Sequence, residues 1–457
     1  MNDAETALNL RHRDARHHIH PFTDMNALNA EGTRIITRAD GVWLTDVEGR
    51  RYLDGFSGLW NVSVGYGRHE IADAVHTQML ELPFYNSFFK SSTIPTIELA
   101  EMLAELAPGF SRTFFTNSGS EANDTIIRMV RHYWQLRGKP AKTIFIARRN
   151  GYHGSTIGGA SLGGMSYMHK QGGLPIPGVI HVPQPWWWGE GGDMSPAEFG
   201  LWAARQVGHA IDEAGPENVA AFIGEPVQGA GGVIIPPDTY WPEVEKICRD
   251  RNVLIISDEV ICGFGRLGSW FGCQHYGITP DLMTIAKGLT SGYLPMGGVM
   301  VSDAFADVLA AGGDFNHGYT TSGHPACAAA AIANLGIMHR ENLVGRVHDV
   351  IGPYLAAGWH SLAQHPLVGE ARMVGLIGGL ELTPDKATRA SFPKSGEAGV
   401  ICRDIAYRAG LILRATGDCM LVAPPFVLSE AEADLLLDRT RHALDGTLEA
   451  LRGRGWI

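Results

Sequence analysis

The chain has 457 residues, 45% hydrophobic and 19% charged, which is enough apolar material for a large core and more than one domain, and too little polarity for disorder. A formal net charge of -11 without a lysine or arginine run leaves no electrostatic footprint for nucleic acid or an anionic membrane, so small-molecule partners are expected. Six cysteines without a C-x-x-C pair argue against a disulfide framework. The opening MNDAETALNL has no signal-like pattern and the apolar run at 326–338 is too short to span a bilayer, so a cytoplasmic location is expected.

In chain order, His12, His17, His18 and His20 come first; their spacing invites a metal reading, but an N-terminal arm lining an interface is the expectation, and no metal site is assigned. Two short strand-like pieces follow, VWLTD (42–46) and RYLDG (51–55), joined by a turn at Glu48-Gly49. In RTFFTNSGSEAN an apolar piece runs into Ser118, Gly119 and Ser120 at the start of a helix. Free N–H groups, the positive end of the helix dipole and two hydroxyls suit a phosphate there, although an ordinary serine cap has the same sequence.

Between residues 143 and 302, six apolar runs (143–149, 178–182, 220–226, 253–260, 282–288 and 297–302) alternate with helical stretches, which predicts an α/β domain with a mostly parallel sheet covered by helices. PPDTYWPEVEKICRDRN reads as a crossover helix capped by Asp238 or Thr239. Trp186, Trp187 and Trp188 fall in a Pro/Gly-rich loop and read as a loop cover or subunit contact. After residue 330 come an alanine-rich helix, strand-like pieces at 373–382 and 410–426 and a helix from Glu430, which predict a closing α+β domain. The expected division is 1–60 and 331–457 for a small domain and 61–330 for a large one.

Asp258 ends an apolar strand, where open α/β sheets bind their ligands, and Lys287 stands just past the next run, where desolvation would make its amine nucleophilic. Each alone reads as readily as half of a structural ion pair. A phosphate cradle, a strand-end carboxylate and a downstream lysine together are what pyridoxal phosphate requires: the lysine bonds to the cofactor covalently and the carboxylate keeps the pyridine nitrogen protonated. No G-x-G-x-x-G follows the first strand, which leaves a nicotinamide enzyme without its fingerprint.

The motifs SGSEAN, GYHG, EPVQGAGG, SDEVICGFGRLG, TIAKGLTSGYLPMGG and HGYTTSGHP, in this order, resemble the consecutive signatures of class III (omega) pyridoxal-phosphate-dependent aminotransferases. The resemblance runs from about residue 20 to the C-terminus. It implies the fold type I architecture, with a mostly parallel seven-stranded sheet in the large domain and a small domain built from both chain ends. It also implies catalytic roles for Lys287 and Asp258, phosphate contacts from Ser118, Gly119 and Ser120, and stacking of Tyr152 and Val260 on opposite ring faces. Gln228 would lie near the ring hydroxyl, Glu225 beside the cofactor, and Thr320 at the neighbouring subunit's phosphate, which makes a homodimer, or a tetramer of two such dimers, the expected assembly.

Arg414 would receive a substrate carboxylate, or else pair with Glu225. Phe22, Trp60, Phe84, Tyr85, Phe88 and Tyr152 are expected around an aromatic substrate pocket suited to an amine on an uncharged stem. The SGLWNVSVGYG stretch and Ile261 resemble the diamine, beta-alanine and amine:pyruvate subgroup; relatives acting on ornithine or 4-aminobutyrate typically carry glutamine at that position. The expected reaction is a ping-pong transfer of an amino group from a primary amine, diamine or omega-amino acid to pyruvate, giving an aldehyde or ketone and alanine.

Overall fold

The computed structural model describes residues 3–457. Near the N-terminus, strands β1 (Ile36–Asp40), β2 (Trp43–Asp46) and β3 (Arg51–Asp54) form an antiparallel meander. β2 buries Leu44 and Asp46 and leaves Trp43 and Thr45 half-buried, the two-residue period of a one-sided strand. Buried Asp46 closes the following turn by accepting the N–H groups of Glu48 (3.0 Å) and Arg50 (2.9 Å). β1 escapes sequence reading because its residues are almost all exposed and lack an apolar alternation.

The large sheet contains β4 (Arg112–Thr116), β5 (Ile144–Arg148), β6 (Val179–Val182), β7 (Val219–Gly224), β8 (Leu254–Asp258), β9 (Leu282–Ile285) and β10 (Gly297–Val301), in the order β4-β10-β9-β8-β7-β5-β6. β10 is antiparallel to both neighbours and the remaining pairs are parallel, so the expected seven-stranded, mostly parallel sheet is present. β7 to β10 are buried throughout, which explains why their sequences are continuous apolar runs. Because β4 and β9 are each antiparallel to β10, β4, β7, β8 and β9 all point the same way. Their carboxyl ends bring the segments starting at Asn117, Glu225, Asp258 and Ala286 to one edge.

The crossover helix Tyr240–Asp250 begins after Thr239 as expected, but the threonine makes no side-chain cap; its hydroxyl donates instead to the Ala197 carbonyl at 2.8 Å, a tertiary acceptor. A second departure lies at 373–382, read as one strand piece. There β11 (Val368–Val374) and β12 (Ile377–Leu382) form a hairpin through Gly375, whose φ of +53° and 2.4 Å approach of a would-be Cβ to the Arg266 carbonyl leave room only for glycine.

β13 (Leu411–Ile412) lies parallel to β3, with Leu411 opposite Leu53, so the chain's two ends share a sheet. β14 (Arg414–Thr416) and β15 (Cys419–Val422) extend the β11–β12 hairpin. The last helix, Glu430–Gly453, starts with a reciprocal capping box between Ser429 and Glu432.

Candidate active site

At the shared strand edge a cavity of about 230 Å³ is lined by Ser118, Gly119, Ser120, Tyr152, Glu225, Asp258, Val260 and Lys287, all of them marked by sequence, and also by Asn117, Asn123, His153 and Thr290. The helix Gly119–Leu136 points its N-terminus at this cavity. Ser118 caps it by accepting the Glu121 N–H at 3.2 Å. The first N–H groups of a helix have no intrahelical acceptor and carry the positive end of its dipole, so this wall suits an anion. Ser120 Oγ accepts the Ser155 N–H at 3.1 Å, and the Ser155 hydroxyl shares a 3.0 Å hydrogen bond with the Tyr152 phenol, tying this wall to an aromatic one.

Asp258, 2% exposed, ends β8. It receives hydrogen bonds from His153 Nδ1 (2.7 Å), Asn123 Nδ2 (3.0 Å) and the Val260 N–H (3.1 Å). Burial alone would raise this carboxyl; the bonds from His153, Asn123 and Val260 outweigh it and hold its pKa below the ordinary value, so the group is an anion at neutral pH. Glu225 has the opposite balance: burial raises its pKa, while its oxygens accept the N–H groups of Tyr152 (3.1 Å) and Gly229 (2.9 Å).

Lys287 opens a short 3-10 turn after β9 with φ +44°, a left-handed backbone that a non-glycine residue adopts only under local constraint. Desolvation lowers its pKa despite the attraction of Asp258 and Glu225, and the nearby charge of Arg414 lowers it further. Its amine therefore becomes a free base at a lower pH than an exposed lysine does.

A second cavity, of about 530 Å³, adjoins the first through Lys287, Tyr152 and Ile261 and is lined further by Phe22, Phe56, Trp60, Tyr167, Arg403 and Arg414. Arg414 lies 4.9 Å from the centre of the Trp60 ring and, among the described residues, has no carboxylate partner; in particular no ion pair joins it to Glu225. Trp60 sits on a contorted turn in which Ser57 (φ +48°), Gly58 (+67°) and Trp60 (+56°) all have left-handed backbone. Buried Asp54 holds that turn by accepting the Phe56 N–H (3.0 Å), the Gly58 N–H (2.7 Å) and the Tyr66 hydroxyl (2.7 Å), and Arg266 Nη2 donates to Ser57 Oγ at 3.2 Å.

Some marked residues lie elsewhere. Gln228 is fully buried and is not among the residues lining this cavity; its backbone bridges to Ile234, its Nε2 donates to the Arg149 carbonyl at 3.1 Å, and its Oε1 is buried without a partner among the described residues. Phe88 lines a separate cleft with Phe89, Arg128 and Gly318, while Phe84 and Tyr85 are exposed. Thr320 is exposed on a turn whose next residue, Thr321, donates to Asn117 Oδ1 at 2.7 Å.

Sequence reading passed over His153 and Asn123, although both stand in the quoted motifs. Asn123 lies three residues after Ser120 on one helix face, and His153 directly follows Tyr152.

The cavity fits pyridoxal phosphate on this structure's own terms. A Cβ at Gly119 would stand 2.9 Å from Val260 Cγ2, and one at Gly154 2.7 Å from the Ser120 Oγ, so two glycines keep open the space against the anion wall. Asp258 and Lys287 line the same space as Tyr152 and Val260. Gly119→Ala is expected to weaken cofactor binding about tenfold, the consequence of overpacking by roughly 1–3 kcal/mol, and titrating the apoprotein with pyridoxal phosphate by fluorescence would measure it.

The sequence profile described as Aminotransferase class-III matches residues 26–444. The chain is 56% identical over 436 residues to a putrescine--pyruvate aminotransferase of Pseudomonas aeruginosa, covering 95% of each chain. It is 42% identical to a diaminobutyrate--2-oxoglutarate transaminase of Halomonas elongata, covering 93% of this chain and 92% of the other. Among solved structures, an (S)-enantioselective omega-transaminase from Thermomicrobium roseum superposes with a TM-score of 0.93 at 43% identity over 97% of this chain and 99% of its own. The omega transaminase of Pseudomonas jessenii in complex with PMP does so with a TM-score of 0.93 at 41% identity over 96% and 98%.

Proposed function

Because the chain belongs to the class-III aminotransferases, a pyridoxal-phosphate-dependent family, we propose that it is an omega-aminotransferase moving the amino group of a primary amine, diamine or omega-amino acid to pyruvate, in two half-reactions on one site. The observation that carries this reading is the continuity of the two cavities at Lys287, with an amine and a carboxylate on one side and an arginine free of any carboxylate partner, among the described residues, on the other. The name and 56% identity of the Pseudomonas aeruginosa relative support pyruvate and a diamine.

Bound pyridoxal phosphate supplies a carbonyl carbon that takes up the amine and a ring that accepts electron density from the substrate carbon. In this reading Ser118, Gly119 and Ser120 would hold its phosphate, Tyr152 and Val260 would bound its ring, and the Asp258 carboxylate would accept a hydrogen bond from its protonated ring nitrogen. His153 and Asn123 keep the Asp258 carboxylate ionised and aimed. Glu225 positions the backbone of Tyr152 and Gly229. Lys287 would move a proton to and from the substrate carbon, and burial, by lowering its pKa, favours the neutral amine that this task requires.

The second cavity then receives two kinds of stem in turn. Trp60, Phe22 and Tyr152 bound an apolar surface for the donor, and Arg414 meets the carboxylate of the acceptor through paired charge-assisted hydrogen bonds. Arg414→Ala is expected to raise the KM for pyruvate about 10- to 100-fold while changing the KM for an uncharged amine far less, as steady-state kinetics on both substrates would record.

Thr320, exposed on its own chain, supports a homodimer whose partner completes each phosphate site, and the small domain is read as 1–60 with 331–457 around a large domain of 61–330; residues 1 and 2 lie outside the described residues. Among the described residues no helix is long and apolar enough to cross a membrane, and a cytoplasmic location is proposed. The direct test follows the visible absorbance of the purified holoenzyme as putrescine, beta-alanine, 1-phenylethylamine or alanine is added singly. Bleaching by an amine and recovery with pyruvate is the expected result. Recovery with 2-oxoglutarate alone would replace the acceptor, and an unresponsive spectrum would refute amino transfer.

A further inference from the structure

We propose that Asp14, His18 and His20 form a binding site for one divalent transition-metal ion of the zinc class, which pins the N-terminal arm that carries Phe22 to the substrate pocket. Of the four histidines near the N-terminus, the structure gathers two with an aspartate that the spacing of histidines alone does not reveal. His18 Nδ1 lies 3.2 Å from Asp14 Oδ1 and His20 Nε2 lies 2.8 Å from Asp14 Oδ2. The three ligand atoms all fall within 4.8 Å of one another. Two imidazole nitrogens and one carboxylate oxygen at about 2.0–2.2 Å from a tetrahedral ion would be separated by roughly 3.3 Å, so shifts of a few tenths of an ångström up to about 1.5 Å convert the present contacts into a coordination set.

The surroundings are those of a built site. The Thr33 hydroxyl donates a short hydrogen bond to Asp14 Oδ2, orienting the carboxylate from behind as outer-sphere partners of metal ligands do. Thr33 is itself anchored: Arg11 Nε donates to its carbonyl at 3.1 Å and Arg11 Nη2 reaches Glu48 at 2.6 Å, which fastens the helix Asp3–His17 to the turn after β2. The His18 side chain is 58% exposed and those of His20 and Asp14 are 21% and 18% exposed, so one side is open to a water as fourth ligand.

The position explains what such an ion would do. Pro21 and Phe22 follow His20 directly and line the second cavity, with the Phe22 ring 6.5 Å from that of Tyr152 in an edge-to-face arrangement. Phe22 has φ +51°, an unfavourable backbone for a non-glycine residue, so an anchor is needed before it; after it, Asp24 caps the helix Met25–Glu31 by accepting the N–H groups of Asn26 and Ala27. Replacing three hydrogen-bonded side chains by an ion with three protein ligands would stiffen that anchor.

The test uses the holoenzyme, stripped with a chelator, dialysed against micromolar ZnCl2 without amine substrate, and analysed for metal beside the His18→Ala/His20→Ala double variant. The expected result is one more zinc per chain retained by the unaltered protein, and trypsin cleavage after Arg13 and Arg16 slowed by zinc in that protein alone. Equal metal content in the two proteins would overturn the site. Should the double variant fold poorly, Cu2+ added at one equivalent to the unaltered holoenzyme supplies an independent readout. Its electron paramagnetic resonance spectrum should carry the superhyperfine pattern of two nitrogen ligands, reduced to that of one nitrogen in the single variant His20→Gln; a spectrum unchanged by that substitution would refute the assignment. These readouts do not depend on which amine or keto acid the enzyme uses.

Discussion

Lys287→Ala is expected to lower kcat by about 10⁴-fold or more, with the cofactor still bound. Proton transfer by a positioned base contributes roughly 10²–10⁴-fold, and on the proposed function the variant would also lose the amine that anchors the cofactor. Binding should persist because the phosphate wall, Tyr152, Val260 and Asp258 come from other strand ends. Alanine retains a Cβ and with it the constraint at φ +44°, so the fold should be little changed. Rapid-mixing absorbance with excess amine would measure the first half-reaction, and a small primary amine added to the buffer should restore part of the rate if the missing function is proton transfer. A variant that turns over within tenfold of the original would remove Lys287 from the mechanism.

For Asp258→Asn the expected fall in kcat/KM is on the order of 10²–10³-fold, the scale seen when one preorganised charge is removed from an active site. The isosteric amide can still accept the Val260 N–H on Oδ1, but its NH2 group would then face both Asn123 Nδ2 and His153 Nδ1, which share the other carboxylate oxygen. His153 can relieve one conflict by moving its ring proton to Nε2, an atom that is buried without a partner. The protein should therefore fold, with the cofactor's absorbance and its pH dependence altered. Adding His153→Phe to Asp258→Asn should cost less than in the unaltered enzyme, because the histidine's principal role is to keep that carboxylate ionised; additive losses would contradict that coupling.

That the large sheet brings these candidate residues to one edge was legible because the signals are local. Apolar runs end at Asp258 and just before Lys287, and Ser118 follows a strand and begins a helix, so residue type, strand end and neighbouring pattern all agreed. Legibility failed where a partner is remote in sequence. The pairing of β3 with β13 joins residues more than 350 apart, and no local pattern in Leu411–Ile412 announces a two-residue strand. Thr239 has the right position for a cap but finds Ala197. His153 was hidden by the aromatic beside it: a lone histidine gains meaning only when the fold sets it 2.7 Å from Asp258. Asp14, in a stretch notable for its histidines, was overlooked for the same reason.

The left-handed turn from Ser57 to Trp60 has a thermodynamic consequence. Holding several residues in rare backbone conformations costs on the order of 1–3 kcal/mol each, and here Asp54 and Arg266 offset that cost during folding, before any substrate arrives. The indole wall is thus ordered in advance, and a donor docking against it loses its own rotational freedom without also freezing a loop. The enzyme can alternate between two unlike guests at constant wall geometry, so selectivity for the stem should lie in dissociation rates more than in a closing motion. Relaxing the turn, as Tyr66→Phe would begin to do by withdrawing one bond from Asp54, should broaden the range of amines accepted while weakening the binding of each.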